Sequence, residues 1–191
     1  MQKFEQSELN KYRHIFGALA APGKGSKGFI VVLGRPTEGV ERSVVIDEVE
    51  AVDLYDLVKS AAVWGASFRA DRWYGDTGNP TIADFIFQVT HNIPGMQRFQ
   101  LLPTLLAEKK KDFYEYAMPT LKKLITEGKL VLPPNGHLRD YVSKVDPGDI
   151  SSMELGSVPA VEALTYAAVE LNNFQSGSLQ EDTCDNNYKM I

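Results

Sequence analysis

The order of secondary-structure patterns is the feature that most constrains the fold of this chain. Three strand-like segments come first and are joined by short polar loops: residues 12–21, 29–33 and 43–49. A helix, a strand and a second helix are then indicated by the spacing of apolar residues: 52–69, 71–74 and 81–90. Strands joined by short loops pair antiparallel, whereas a strand reached through a helix can pair in parallel. The β-β-β-α-β-α order therefore predicts an α/β fold, an antiparallel three-strand meander plus further parallel strands, flanked by helices.

The second half of the chain adds shorter patterns. Residues 112–127 have helical spacing that Pro119 should kink or divide, residues 129–132 indicate a strand, and 138–142 a short helix or strand. Residues 159–172 indicate a helix in which Ala160, Ala163 and Ala167 share one face. We therefore expect a single domain over residues 1–174. The Ser-, Gly-, Asp- and Asn-rich residues 175–191 are expected to form a flexible tail.

Composition excludes some classes of protein. The chain has 191 residues, 43% of them hydrophobic, which suffices for one domain with a sizeable core. Its net charge of −5 argues against a broadly basic nucleic-acid coat, although lysines at 109–111 and 122–123 could meet phosphate. Cys184 is the only cysteine, so an intramolecular disulfide and a multi-cysteine zinc site are excluded. No apolar run approaches a membrane span, and we expect a soluble protein of the cytoplasm.

The segment Ala70 to Gln88 carries the clearest candidate for chemistry. Asp76 ends a strand pattern, and a helix pattern begins near Pro80. A carboxylate at the end of a strand, beside a helix N-terminus, commonly holds a metal or a reacting group at a sheet edge. The alternative is that Asp76 is a turn or N-cap residue that accepts backbone N–H groups. Trp73 and Tyr74, just before it, should pack on opposite faces of the sheet.

Two further motifs allow functional interpretations. Gly23 to Gly28 matches the spacing GxGxxG, but a strand follows it, so a flexible hairpin is favoured over a nucleotide site. The tripeptide 76–78, Asp-Thr-Gly, also occurs in aspartic proteases, where two such loops share a proton. Those enzymes continue into β structure, and a single copy would require a homodimer. A homodimeric aspartic protease is therefore kept as a remote alternative.

Three segments resemble the RNase H-like nuclease domain of phage large terminases, the DNA-packaging motors. They are IFGALAAPGKGSKGFIVVLG, WYGDTGNPTIADFI and VPAVEALTYAAVEL. The resemblance implies that Asp76 and Glu162 are catalytic residues and metal ligands for Mg²⁺ or Mn²⁺. It implies duplex DNA as the substrate and, because no GxxxxGK[ST] motif is present, a separate ATPase or packaging proteins as partners. A phage-encoded protein of this class would act in the host cytoplasm.

The chain departs from that family on its first strand, where the family has its first metal-binding aspartate. No Asp or Glu occurs between Leu9 and Thr37, and the expected position, around Gly17 to Leu19, is uncharged. Asp47, Glu48 and Glu50 are expected on an outer strand, and are poor substitutes. Glu162 could also simply suit the helix dipole. Two hypotheses stay open: a metal-dependent DNA endonuclease, and a non-catalytic RNase H-like module for DNA binding or protein assembly.

Overall fold

The secondary structure follows the predicted order closely. A computed structural model describes residues 9–23, 26–37, 42–51, 53–75, 79–103, 116–134, 136–144 and 158–175, without the side chains of 144 and 173–175. The strands are β1 (Tyr12–Ala20), β2 (Gly28–Pro36), β3 (Ser43–Ala51), β4 (Arg72–Gly75), β5 (Leu102–Pro103) and β6 (Leu130–Val131). The helices are α1 (Leu54–Phe68), α2 (Pro80–Asn92), α3 (Met118–Thr126), α4 (His137–Lys144) and α5 (Pro159–Gln175).

The described strands form one mixed sheet in the order β5-β4-β1-β2-β3-β6. β1, β2 and β3 pair antiparallel, which confirms the predicted meander. β4 pairs parallel with β1, and β5 and β6 extend the two sides of the sheet through further parallel pairs. The predicted fold class, a mixed α/β sheet flanked by helices, is therefore confirmed.

Two hydrophobic clusters cover the two faces of this sheet. Phe16, Ala18 and Ala20 of β1 belong to the cluster that includes α3, α4 and α5. Ile15 and Leu19, between them in sequence, belong to the cluster that includes α1 and α2. This alternation is the two-residue period of a strand buried on both faces. Tyr74 and Trp73 likewise belong to different clusters, as the sequence predicted.

Helix α5 is buried along most of its length. Every residue from Ala160 to Val169 is at most 6% exposed, including the polar Glu162 and Thr165. Thr165 donates its hydroxyl proton to the Val161 carbonyl, 2.6 Å away, which satisfies its buried oxygen. The predicted row of Ala160, Ala163 and Ala167 is fully inside the core, as expected for close helix packing.

The structure goes beyond the sequence prediction in a few places. β5 is not predicted, because two residues are too short for a period to be seen. Pro119 lies in the first turn of α3, which directly follows Tyr116 and Ala117, two residues with π-helical geometry, and residues 112–115 of the predicted helix lie outside the described residues. The segment 138–142, predicted as a short helix or strand, is helical, within α4. Residues 146–157, which the sequence indicates as a loop, and most of the expected tail, 176–191, lie outside the described residues.

Gly17 allows β4 and α1 to pack closely on β1. A Cβ atom at Gly17 would lie 2.6 Å from three carbon atoms of the Trp73 indole. The same indole presses on α1, where a Cβ at Gly65 would lie 2.9 Å from the indole nitrogen. Both contacts are closer than carbon and nitrogen atoms tolerate, so both positions require glycine while Trp73 keeps its place.

We predict that Gly17→Ala lowers the free energy of unfolding by about 1–3 kcal/mol, the usual cost of overpacking a core. Urea denaturation followed by circular dichroism measures it. Trp73→Phe in the Gly17→Ala background should restore part of the loss, because phenylalanine is smaller. It also removes an indole N–H that is buried without a hydrogen-bond partner among the described residues. Equal stability of Gly17→Ala and wild type would contradict this packing.

Candidate functional site

Helix α5 runs antiparallel to β1 and β4. At its start, Pro159 and Ala160 line a cavity together with Phe29, which pairs with Ala20 at the end of β1. Further along the helix, Glu170 interacts electrostatically with Arg72, the first residue of β4. Since Arg72 is level with Phe16 in the parallel register, the two ends of the helix are fixed relative to β1. The first turn of α5 therefore lies at the carboxyl ends of β1 and β4.

Glu162 lies in this first turn. It follows Ala160 by two residues, a rise of about 3 Å along the helix axis. One residue of β1 spans about 3.3 Å, so Glu162 is level with the last residues of that strand, near Ala18 and Ala20. Only 6% of Glu162 is exposed. The structure thus places the first turn of α5 near the carboxyl end of β1, and the role of Glu162 as a catalytic residue and metal ligand stays a prediction.

Strand β4 leads to the same edge. Its last residue, Gly75, packs so closely on β1 that a Cβ there would lie 3.1 Å from the Leu19 carbonyl oxygen. Asp76, the next residue and the other predicted ligand, lies outside the described residues, as do 77 and 78. The structure therefore brings the end of β4 to the edge that carries Glu162, but does not describe the Asp76 carboxylate.

The structure bears on the alternatives for Asp76. The N-cap of α2 is Asn79, whose side-chain oxygen accepts a hydrogen bond from the Thr81 amide at 3.0 Å. This agrees with the sequence, in which Asn79 and Pro80 indicate the start of a helix. The described chain also continues from Asn79 into a helix, and not into the β structure typical of aspartic proteases.

The part of β1 where the family has its first metal-binding aspartate is apolar in this chain. Of the three residues in the expected window, Ala18 faces α5, Gly17 is covered by Trp73, and Leu19 belongs to the opposite cluster. Ala18 and Leu19 are both 0% exposed. Among the residues that the structure describes, no group of three or more His, Cys, Asp or Glu side chains is placed to hold a metal ion. The described donors therefore do not fit a two-metal site.

The carboxylates of β3 have other partners, which the sequence analysis did not foresee. Glu48 accepts hydrogen bonds from the amides of His137 and Leu138 and so caps the first turn of α4. Glu50 accepts from the Tyr141 hydroxyl and from Lys27 Nζ, the latter at 3.1 Å. β3 is not the outermost strand as expected, because β6 pairs with it, although only at Ser43 and Val44.

The remaining acids near this edge also have local roles. Asp47 accepts a hydrogen bond from the Glu48 amide at 2.8 Å, and burial raises the pKa of its carboxyl. Asp53 is the N-cap of α1 and accepts from the Asp56 amide at 3.1 Å. Asp84, on α2, is exposed. None of these residues supplies the carboxylate that β1 lacks.

These features define an RNase H-like α/β domain, and two solved structures place it more narrowly. The chain is similar to the nuclease domain of the large terminase g2p of bacteriophage SPP1 with bound Mn, with a TM-score of 0.53 and 15% identity over 87% of this chain and 92% of that one. It is also similar to the large terminase nuclease of thermophilic phage G20c, with a TM-score of 0.60 and 14% identity over 84% and 85% of the two chains. The chain therefore has the RNase H-like fold of large terminase nucleases.

Sequence comparison adds no further assignment, since no family model and no curated protein matches this chain. Among the described residues, no helix is long and apolar enough to cross a membrane.

The bond between Glu50 and Tyr141 makes the docking of α4 depend on pH. The Tyr141 hydroxyl, and after it Lys27, lowers the pKa of Glu50, and the Glu50 carboxylate raises the pKa of Tyr141. A lowered folded-state pKa gives stability that is present above the unfolded pKa of about 4.3 and is lost as pH falls. A raised folded-state pKa gives stability that is present below about pH 10 and is lost as pH rises.

We predict that Tyr141→Phe lowers the free energy of unfolding by about 1–2 kcal/mol at pH 7, as expected for a lost hydrogen bond to a partly solvated carboxylate. The difference from wild type should shrink as pH falls below about 4.3 and through the lowered pKa of Glu50, because protonation removes the carboxylate that accepts the bond. Urea denaturation at pH 3.5, 5 and 7 measures this dependence. Tyr116→Phe, a change at an exposed tyrosine, is the control. A difference that does not change with pH would contradict the assigned bond.

Proposed function

We propose that this chain is a terminase nuclease-like domain that binds duplex DNA without hydrolysing it through a two-metal centre. The fold, and the large terminase nucleases that share it, support the DNA-handling part of the proposal. The observation that carries the rest is the apolar row of β1 that faces α5: Phe16, Ala18 and Ala20. The ATPase of a packaging motor would lie outside this sequence, which has no GxxxxGK[ST] motif.

The donor set explains why hydrolysis is not part of this proposal. Two-metal phosphodiester hydrolysis needs carboxylates from several elements around two ions about 4 Å apart. Here Glu162 comes from α5, and Asp76 after β4 is the proposed second ligand. The β3 carboxylates hold α4, and β1 presents alanine. Counting the described residues together with Asp76, two carboxylates from two elements are fewer than such a centre requires.

A second candidate function is a metal-dependent DNA endonuclease that uses Asp76 and Glu162 with Mg²⁺ or Mn²⁺. The position of Glu162 favours it, because the first turn of α5 meets the carboxyl end of the strand that leads to Asp76. The SPP1 nuclease domain, which has the same fold, contains bound Mn. This candidate makes a different prediction in the same assay.

We predict that the protein retards supercoiled plasmid in a gel without converting it to the nicked form, in Mg²⁺ or in Mn²⁺. The reason is that β1 supplies no carboxylate to complete a metal centre. Mn²⁺-dependent nicking that disappears in both Asp76→Ala and Glu162→Gln would establish the second candidate instead. Failure of the wild-type protein to retard the plasmid at low salt would overturn the DNA-binding role.

We also predict that Ala18→Asp creates a cation site beside Glu162 and Asp76. Without metal, the variant should melt at a lower temperature than wild type, because a carboxyl group replaces a methyl in the core. Mn²⁺ should raise the melting temperature of the variant more than that of wild type, because binding to the native state stabilises it. Ala61→Asp, equally buried on the other face, is the control and should show no recovery. Equal responses of the two variants to Mn²⁺ would contradict the proposed cation site.

A further inference from the structure

Arginines gather at the opposite edge of the sheet, where β1 and β4 begin. Two neighbouring clefts lie there, and Asp71 lines both of them. One, of about 280 Å³, is lined by Arg98 and Gln100, and the other, of about 360 Å³, by Asn10, Arg13 and Arg69. We call Arg13, Arg69 and Arg98 the arginine edge.

Each of these arginines is placed by a distinct local feature. Arg13 is the extra residue of a β-bulge, because Tyr12 and His14 on either side of it pair with the consecutive Pro36 and Arg35. A bulge redirects the side chain that it carries. Arg69 ends α1 in the left-handed conformation, with φ of 50°. Arg98 lies in the turn after α2, closed by a hydrogen bond from the Phe99 amide to the Met96 carbonyl.

The three arginines carry charge that the described protein does not neutralise. All three are exposed, and within the described ranges none of their side chains makes an ion pair or a hydrogen bond. Asp71, the acid between them, is held elsewhere: its carboxylate accepts from the Ile15 amide at 2.9 Å and lies 3.6 Å from His14 Nδ1. The edge is therefore positive in a chain whose net charge is −5.

The chemistry of this edge suits phosphate. Guanidinium groups bind phosphate oxygens through paired N–H donors, which ammonium groups cannot match. The side-chain amides of Asn10 and Gln100, in the same clefts, add neutral donors. The three arginines come from separate parts of the chain and line two clefts that share Asp71, and such a distribution suits a chain of phosphates better than a single anion.

We infer that the arginine edge binds the phosphodiester backbone of DNA, at the end of the sheet opposite Glu162. The inference rests on the proposed DNA-binding function, and it adds where the DNA lies. The inference also separates DNA binding from the carboxylates at the other edge. DNA would contact the arginine edge, and not the surface where a two-metal centre would hold its ions.

Fluorescence anisotropy of a labelled DNA duplex, titrated with the full chain at several salt concentrations, tests this site. The variant Arg13→Gln, Arg69→Asn, Arg98→Gln removes the three charges, with asparagine at 69 because it tolerates the left-handed conformation. The control Lys59→Gln, Lys123→Gln, Arg139→Gln removes the same charge from exposed positions on α1, α3 and α4. Melting curves confirm that both variants fold, and Arg98→Gln alone serves if the triple variant does not.

Each phosphate contact contributes about 0.9 to the slope of log K against log salt. We therefore expect the magnitude of this negative slope to decrease by about 2.7 in the triple variant and by about 0.9 in Arg98→Gln. The control variant should keep the wild-type slope. Equal slopes in wild type and the arginine variant would overturn the site while leaving DNA binding intact. An equal fall in the control would also overturn it, because binding would then follow net charge. No binding by wild type would overturn the proposed function together with this site.

Discussion

The burial of β1 on both faces is the constraint on which the rest of the structure depends. β1 pairs with β2 and β4, and its alternating side chains contribute to both hydrophobic clusters. Gly17 leaves room for the Trp73 indole against β1, and the same indole packs against Gly65 of α1. Ala18 and Ala20, on the other face, are covered by the cluster that contains α5. A carboxylate in this row would be buried beside Glu162, which is tolerable only with a cation to compensate it. Small apolar residues here and the lack of a β1 metal ligand are thus two aspects of one packing arrangement.

The sequence predicts the fold well because the relevant signals are local. The period of apolar residues distinguishes strands from helices, and loop length determines whether neighbouring strands pair antiparallel. The elements that it does not predict depend on distant partners. α4 is docked by Glu48 and Glu50, about 90 residues earlier in the chain, and no local pattern indicates those bonds. β5 exists because Leu102 pairs with Tyr74, again a contact without a local signal.

The candidate site also combines features that the sequence predicts with features that depend on distant contacts. Glu162 is indicated in the sequence by the resemblance of its helix to that of large terminase nucleases, and the end of β1 at which this helix begins is known only from the tertiary contacts of Ala160 and Glu170. Which acids near it are committed to other bonds cannot be predicted, because this depends on tertiary contacts. Asp47, Glu48, Glu50 and Asp53 all lie near the same edge, yet each accepts hydrogen bonds from backbone amides or from Tyr141 and Lys27. Proximity in sequence to a predicted site is therefore a weak guide to its ligands.

The two edges of the sheet differ in charge, and this difference bears on how such a domain could hold DNA. At the carboxyl edge, the exposed carboxylates of Asp53 and Asp56 repel phosphate unless cations intervene, whereas Glu50 is paired with Lys27 and Glu162 is buried. In a two-metal nuclease the bound ions reverse this repulsion, so that carboxylates and DNA share one surface. In the proposed non-catalytic domain, β1 supplies no ligand to hold such ions, so its carboxyl edge would be a poorer surface for DNA. Arg13, Arg69 and Arg98 carry positive charge at the far end of the same strands, where DNA binding would need no metal. The proposed absence of a two-metal centre and the proposed DNA contact at the arginine edge are therefore mutually consistent.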